Sequence, residues 1–266
     1  MNYGFIGLGN MATAIIKGMC QSTMFERSAI FGMNRSSEKT NQLVEAYGIS
    51  ACFSTKEILA QTDVIILAVK PNMLETVLRE MAPHVEERHM FISIAAGKPL
   101  SFYAQFFPNN TVIRVMPNIN AMVGASTSCF SAPQRATEAQ KQIVRTLFST
   151  VGSIVELPEE QFAIFTATGC SSPAFTYMYI DAIARAGVRD GLSKKVALEI
   201  AASSVLGSAK MVLDSIDEQH PYDLVDQVCS PGGTTIEGVM TLQDQQFEHT
   251  IHEAIRAVME KDAALK

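Results

Sequence analysis

Apolar runs of four to seven residues alternate with amphipathic stretches along the first 155 residues. Residues 3–6 predict a first strand, and 11–20, poor in turn formers, predict a helix. Residues 29–33 predict a second strand, 38–47 a helix and 49–53 a short third strand. Asp63-Val64-Ile65-Ile66-Leu67-Ala68-Val69 is almost wholly apolar, as expected of a strand buried on both faces of a parallel sheet. Pro71 blocks further pairing, and 72–81 predict another helix. Residues 90–95 and 112–116 predict two more buried strands, each followed by a turn residue, Gly97 or Pro117. This β-α rhythm implies a doubly wound α/β domain.

The rhythm stops near Val155. Glu156-Leu157-Pro158-Glu159-Glu160 is a break, and a proline followed by acids suits a helix start. No strand is predicted beyond it. Residues 173–186 predict a helix ending at Gly187. Ser193 predicts the N-cap of a long helix to about residue 215, with Val196, Ile200, Val205, Ala209 and Val212 near helical spacing. Residues 221–228, 234–242 and 247–264 predict three further helices. The expected organisation is an α/β dinucleotide-binding domain over residues 1–157, followed by an all-helical domain over residues 158–266.

Composition narrows the class. The 266 residues are 47% hydrophobic and 18% charged, which excludes a disordered chain. A net charge of −6 argues against general nucleic-acid binding. The charge is uneven: residues 1–152 hold 13 basic and 10 acidic side chains, and the remainder 8 and 17. Five scattered cysteines without a Cys-x-x-Cys pair predict free thiols in a reducing cytoplasm. The first residues lack a basic leader, so no signal peptide is expected. No apolar run is expected to reach the ~20 residues of a membrane helix. His249 and His252 share a helix face beside Glu248 and Glu253, but without a further ligand cluster no metal site is expected.

Gly7-Leu8-Gly9-Asn10-Met11-Ala12 fits G-x-G-x-x-G/A, after a predicted strand and at the opening of a helix. The first glycine makes the tight turn, and the second lets the backbone approach a pyrophosphate. Ala12 keeps helix and strand close. The helix N-terminus then offers N–H groups and a positive dipole end to the phosphates. This is the signature of a Rossmann-type domain. At the end of the second strand, where NAD sites usually carry an acid, the chain has Asn34-Arg35-Ser36-Ser37. No carboxylate repels a 2′-phosphate there, and Arg35 and Ser36 can bind one. NADP(H) is therefore the preferred cofactor, with NAD(H) the second choice. Two more strand ends, Ala68-Val69-Lys70-Pro71 and Ala95-Ala96-Gly97, face the same crevice.

In the helical half, Ser230-Pro231-Gly232-Gly233-Thr234-Thr235 precedes an apolar periodic run. Two glycines ahead of a helix can present successive N–H groups to an anion, and two threonines add hydroxyls. An ordinary helix start capped by threonine is the alternative.

Together these motifs resemble the pyrroline-5-carboxylate reductase family over nearly the whole chain. The resemblance also rests on Arg114-Val115-Met116-Pro117-Asn118, Thr166, Pro173-Ala174 and Glu218-Gln219-His220-Pro221. It implies reduction of the C=N bond of 1-pyrroline-5-carboxylate to L-proline by hydride from NAD(P)H. Gly7 to Ala12, Asn34 to Ser36 and Ala68 to Pro71 would bind the cofactor. Ala95, Gly97 and Asn118 would lie near its nicotinamide end. Ser230, Gly232, Gly233, Thr234 and Thr235 would surround the small imino acid substrate, with Thr235 nearest the imine nitrogen. The resemblance also implies a homodimer built from the helical domains, often assembled into a decamer.

The chain departs from the family pattern at Gly169-Cys170-Ser171-Ser172, and Thr55 and Gln227 stand where asparagine is common. These changes leave the hydride chemistry intact and keep a related cyclic imino acid open as substrate. No histidine occurs in the cofactor-binding motifs or in the Ser230–Thr235 loop, so Thr235 or water would deliver the proton. A hydroxyacid reductase on the same fold would want a lysine or histidine base on the helix from Pro173, which offers only Asp181 and Arg185. A non-catalytic dinucleotide-binding regulator is the remaining alternative.

Overall fold

The computed structural model describes residues 1–264. The last two residues of the second expected domain, 265 and 266, lie outside the described residues. The chain divides into two compact units, Met1–Cys170 together with residues 261–264, and Ser171–Glu260.

The first unit runs β1 (Tyr3–Ile6), α1 (Asn10–Gln21), β2 (Ile30–Met33), α2 (Ser37–Tyr47), β3 (Ser50–Ala51), α3 (Thr55–Gln61), β4 (Val64–Leu67) and α4 (Pro71–Met81). It continues through β5 (Met90–Ser93), α5 (Leu100–Ala104), β6 (Thr111–Met116), β7 (Ser126–Ser131), α6 (Glu138–Ser149), β8 (Gly152–Glu156) and α7 (Phe162–Phe165). The eight strands form one sheet in the order β3-β2-β1-β4-β5-β6-β7-β8. All neighbours are parallel except β6 and β7. The strand order reverses between β1 and β4, which makes their carboxyl ends the topological switch point of the Rossmann-type sheet.

The apolar strands explain the layering. Successive side chains of a strand point to opposite faces. Phe5, Ile66 and Ile92 accordingly join one core with Ile15, Ile16 and Phe148. Ile6, Ile65 and Phe91 join a second core with Leu74, Leu78, Tyr103 and Phe107. All four residues of β4 are buried, as its unbroken apolar run predicts. Serine and threonine N-caps start α2, α3 and α6: Ser36, Ser54 and Thr137 each accept a first-turn N–H.

Two strands escape the sequence pattern. β7 reads Ser126-Thr127-Ser128-Cys129-Phe130-Ser131, polar by composition yet largely buried. Its hydroxyls find partners inside: Ser126 and Ser128 share a hydrogen bond of 3.1 Å, and the Asn118 N–H donates to Ser126 at 3.2 Å. β8 opens on Gly152 at φ +145, where a Cβ would lie 2.1 Å from the Ser126 carbonyl oxygen. The strand pair therefore depends on a residue that composition reads as a breaker. The expected third strand shrinks to Ser50–Ala51, and α3, α5, α6 and α7 lie in stretches with no predicted helix.

The first unit also runs past the expected boundary after residue 157. The Leu157-Pro158 break is a turn inside it. Phe162 and Phe165 of α7 pack against Cys129 of β7, and a π-helical turn, Thr166–Ser171, follows.

Among its described residues the second unit has helices joined by loops and no strand: α8 (Ser172–Arg189), α9 (Lys194–Asp214), α10 (Pro221–Val228), α11 (Thr234–Asp244) and α12 (Phe247–Ala263), the last continuing into residues 261–263. Ser193 caps α9 by accepting the Val196 N–H. Gly187 does not end α8. It sits inside the helix, where a Cβ would meet Leu192 at 3.0 Å and Ala197 at 3.4 Å, so its role is close packing. The unit's buried apolar cluster is made of small residues, Ala184, Ala197 and Ala201. The large apolar side chains face outward, with Met178 and Leu206 72% exposed and Leu213 67%.

One expectation about α9 is corrected. Its 21 residues are long and apolar enough, by length and composition, to cross a membrane. The run is hard to see in the sequence because serines and lysines are interspersed among alanines and aliphatics.

Candidate active site

The carboxyl ends of β1, β2 and β4 meet around residues 7–9. The Gly7 N–H donates to the Met33 carbonyl (2.8 Å), and the Ala68 N–H donates to the Ile6 carbonyl (2.9 Å). The Leu8 N–H donates to the Asn34 side-chain oxygen at 3.2 Å, which ties the end of β2 to the glycine loop. Gly7 adopts φ +92, and a Cβ there would lie 2.8 Å from the Ala68 carbonyl. Only glycine makes this turn against β4. Gly9 is the N-cap of α1 and supplies no side-chain cap. A Cβ on Gly9 would meet nothing within 4 Å, so the loop leaves open space beside uncapped N–H groups. Leu8 and Ala12 are buried, Met11 is half-buried and Asn10 is exposed.

These residues fit a dinucleotide. The open space at Gly9 and the positive end of α1 suit a pyrophosphate. Arg35 is exposed at the end of β2, flanked by Asn34 and Ser36 rather than by an acid. Ser36 is exposed too, although its oxygen accepts the Lys39 N–H at 3.4 Å as the cap of α2. Lys70 is exposed at the N-cap of α4, with Pro71 in the first turn. Ala68 and Val69 line the switch point against Gly7.

The end of β5 carries the next expected residues. Ala95 is buried, and Gly97 turns at φ +78 with no atom within 4 Å of where a Cβ would stand. Beside Gly97 lies a cavity of about 720 Å³, lined among others by Lys98, Phe102, Arg114, Glu159 and Thr166. Sequence reading missed the ion pair here. Arg114 of β6 is buried, pairs with Glu159 and lies 4.5 Å over the Phe162 ring. Glu159 also accepts the Leu100 N–H at 2.8 Å. The acid beside Pro158 was the only signal, and it reads as a helix start.

Asn118 stands two residues past the end of β6. Its side-chain nitrogen donates to the Gly169 carbonyl (2.9 Å), and its oxygen accepts the N–H groups of Asn120 (3.1 Å) and Thr127 (3.4 Å). The amide thus braces the π-helical turn and the residues after β6. Cys170 and Cys129 lie nearby. Burial pushes their thiols up to about 11 and about 12, so neither is a thiolate at neutral pH.

In the second unit, Gly232 adopts φ +67 and the Gly233 N–H donates to the Ser230 carbonyl (2.9 Å). The N-cap of α11 is Gly233, without a side-chain cap. The threonine-cap alternative is therefore not what forms. Thr234 and Thr235 occupy the first turn with both side chains exposed, and Ser230 and Gly232 are placed beside them at the surface. His220 caps the preceding α10 in a reciprocal box with Asp223. The Gln227 amide donates to Gln219 at 3.1 Å, bracing the loop before it. The structure thus groups the first set of expected residues within one unit and the loop set within the other. Among the described residues no cluster of three or more His, Cys, Asp or Glu could hold a metal.

Known proteins match both halves. Residues 159–265 match the family described as pyrroline-5-carboxylate reductase dimerisation, and residues 2–97 match NADP oxidoreductase coenzyme F420-dependent. Pyrroline-5-carboxylate reductase of Escherichia coli (strain K12) is 36% identical over 263 residues, covering 98% of this chain and 97% of its own. The structure of 1-pyrroline-5-carboxylate reductase from Streptococcus pyogenes is 36% identical with a TM-score of 0.85, covering 99% of this chain and 98% of its own. The Plasmodium falciparum pyrroline carboxylate reductase, solved with NADP bound, is 28% identical with a TM-score of 0.85 and covers 99% and 97%. A dinucleotide crevice, a helical unit carrying Gly232-Gly233-Thr234-Thr235 and a likeness that spans whole chains all agree, and the chain belongs to the pyrroline-5-carboxylate reductase family.

Proposed function

We propose that the protein reduces 1-pyrroline-5-carboxylate to L-proline with NADPH. The observation that carries this reading is the uncapped start of α11, where Gly232 and Gly233 lead into two exposed threonines. Backbone N–H groups and hydroxyls at a helix N-terminus suit a small carboxylate. Ser230 and the 232–235 segment contain no cation, so binding rests on these groups alone.

When bound, the cofactor supplies a hydride to the imine carbon. The chain's own residues orient and balance charge. The N–H groups after Gly9 hold the pyrophosphate. Arg35 and Ser36 take the 2′-phosphate, which favours NADPH, while NADH is a slower donor. Ala68 to Pro71 flank the dinucleotide, and Ala95 and Gly97 border its nicotinamide end; Asn118 acts there by bracing the backbone. Ser230 and Gly232 to Thr235 hold the carboxylate so that the ring presents its imine carbon. The nitrogen gains a proton as the C=N bond becomes CH–NH, and the Thr235 hydroxyl or a water it holds delivers that proton.

The outward apolar side chains of the second unit support a homodimer formed through its helices, with further assembly to a decamer as the family's larger form. The same exposed faces explain why α9 is so apolar without any need for lipid. Five free cysteines support a reducing cytoplasmic setting. The two expected domains follow the same division of labour, the first binding dinucleotide and the second binding substrate and dimerising.

The test is NADPH oxidation with racemic 1-pyrroline-5-carboxylate, run beside NADH and beside a panel of hydroxyacids. Rapid oxidation with the imino acid alone supports the reading. No oxidation at high enzyme concentration refutes it.

A further inference from the structure

The turn after β5, residues 94–99, is held at both ends by buried or part-buried polar contacts. At its start, the Ala95 N–H donates to the Ser93 hydroxyl (3.3 Å), which shares a 2.6 Å hydrogen bond with the buried Tyr103 hydroxyl of α5. At its finish, the Leu100 N–H donates to Glu159 from 59 residues along the chain. Glu159 is itself fixed by Arg114, whose side chain is only 8% exposed and lies over the Phe162 ring. Between the two anchors stands Gly97 at φ +78, with open space where a side chain would be and the 720 Å³ cavity alongside.

A buried arginine without its carboxylate is costly, so the pair is either well matched or absent. Here one carboxylate oxygen serves two purposes. It neutralises Arg114, and it caps the first N–H of α5, which has only Pro99 at its N-cap and no side-chain cap of its own. An acid at a helix N-terminus also meets the favourable end of the dipole. The contact is long-range and joins β6, the 159–161 turn and α5 at one point.

We propose that Glu159, held by Arg114, is a positioning residue for hydride transfer: it sets the height of the Gly97 turn and hence the place the nicotinamide end can occupy. The inference rests on the reading that Ala95 and Gly97 border that end of the cofactor. In this assignment Glu159 and Arg114 act through the backbone of the Gly97 turn, so their loss leaves cofactor affinity and slows the chemical step. A displacement of about 1 Å at a reacting centre can cost up to about 100-fold in rate.

The experiment compares wild type, Glu159→Ala, Glu159→Gln and Arg114→Lys. Each is measured for kcat, for NADPH Kd by fluorescence, and for the primary isotope effect with deuterium-labelled NADPH. In Glu159→Ala, kcat is expected to fall roughly 10- to 100-fold. NADPH Kd should move less than about threefold, and the isotope effect should rise as hydride transfer becomes limiting. Glu159→Gln keeps an acceptor for the Leu100 N–H and should recover a substantial part of the lost rate. If Glu159→Ala does not fold, the same isotope-effect rise in Glu159→Gln and Arg114→Lys carries the test. Wild-type kcat and isotope effect in the folded variants would overturn the proposal, as would a loss of rate matched by an equal loss of NADPH affinity. Inactive wild type would instead refute the assigned reaction, which separates the two failures.

Discussion

Gly7 turns so close to Ala68 that a Cβ on it would lie 2.8 Å from the Ala68 carbonyl carbon and oxygen. Gly9, two residues on, has no neighbour within 4 Å of the same position. The two glycines therefore serve different ends. Gly7→Ala must strain a positive-φ backbone and push against β4, at a cost of about 2–5 kcal/mol. Gly9→Ala leaves the fold intact and fills the space a pyrophosphate would use. Thermal unfolding should show Gly7→Ala well below wild type and Gly9→Ala within experimental error of it. NADPH titration should show Gly9→Ala weakened by about tenfold or more.

Arg35 is the residue proposed to set the choice between cofactors. It is exposed at the end of β2, between Asn34 and Ser36. Arg35→Ala is expected to lower kcat/KM for NADPH about fivefold, the worth of one screened ionic contact. Values for NADH should stay near wild type, so the ratio of the two constants reads the effect. An equal loss with both cofactors would assign Arg35 to general binding.

Thr235, exposed in the first turn of α11, is the proposed source of the proton. Thr235→Ala should lower kcat by about tenfold or more, with NADPH Kd unchanged. Thr235→Ser restores the hydroxyl and should restore most of the rate. Unchanged turnover in Thr235→Ala would remove it from the reaction.

His89 makes stability depend on pH. Its ring is almost fully buried, with Nδ1 accepting the Glu86 N–H at 2.8 Å and Nε2 lying 2.9 Å from the Leu59 carbonyl. Both contacts are satisfied by the neutral ring. Burial holds the imidazole below its ordinary 6.5, with the nearby Arg88 charge adding to the effect. The folded state thus binds its proton later than the unfolded chain does as pH falls. The stabilising contribution is present above about pH 6.5 and is lost as pH falls through the lower folded value. Urea unfolding should lose stability below pH 6.5 with a slope of at most about 1.4 kcal/mol per pH unit from this group. Replacing His89 with glutamine should flatten that part of the profile.

The apolar runs at β1, β4, β5 and β6 announced the sheet because strands buried on both faces admit few polar residues. The helices of the second unit were equally legible from their caps, as Ser193 and Pro221 show. β7 was not, because its serines bond to one another and to Asn118, a compensation no local pattern contains. The Arg114–Glu159 pair was hidden for the same reason, since its partners lie 45 residues apart. The glycine loops of both units read correctly as helix starts, where positive φ and missing side chains are local needs. The exposure of α9 was not legible from periodicity, because Ala197 and Ala201 make its buried contact with Ala184 of α8 while its large apolar side chains stay exposed.

The central claim is a hydride passed to the imine carbon of 1-pyrroline-5-carboxylate. The most direct measurement follows deuterium from labelled NADPH into the product by mass spectrometry and NMR. The account predicts L-proline formed mole for mole with NADPH consumed, carrying one deuterium on the former imine carbon. Proline without the label, or NADPH consumed without proline, would contradict it.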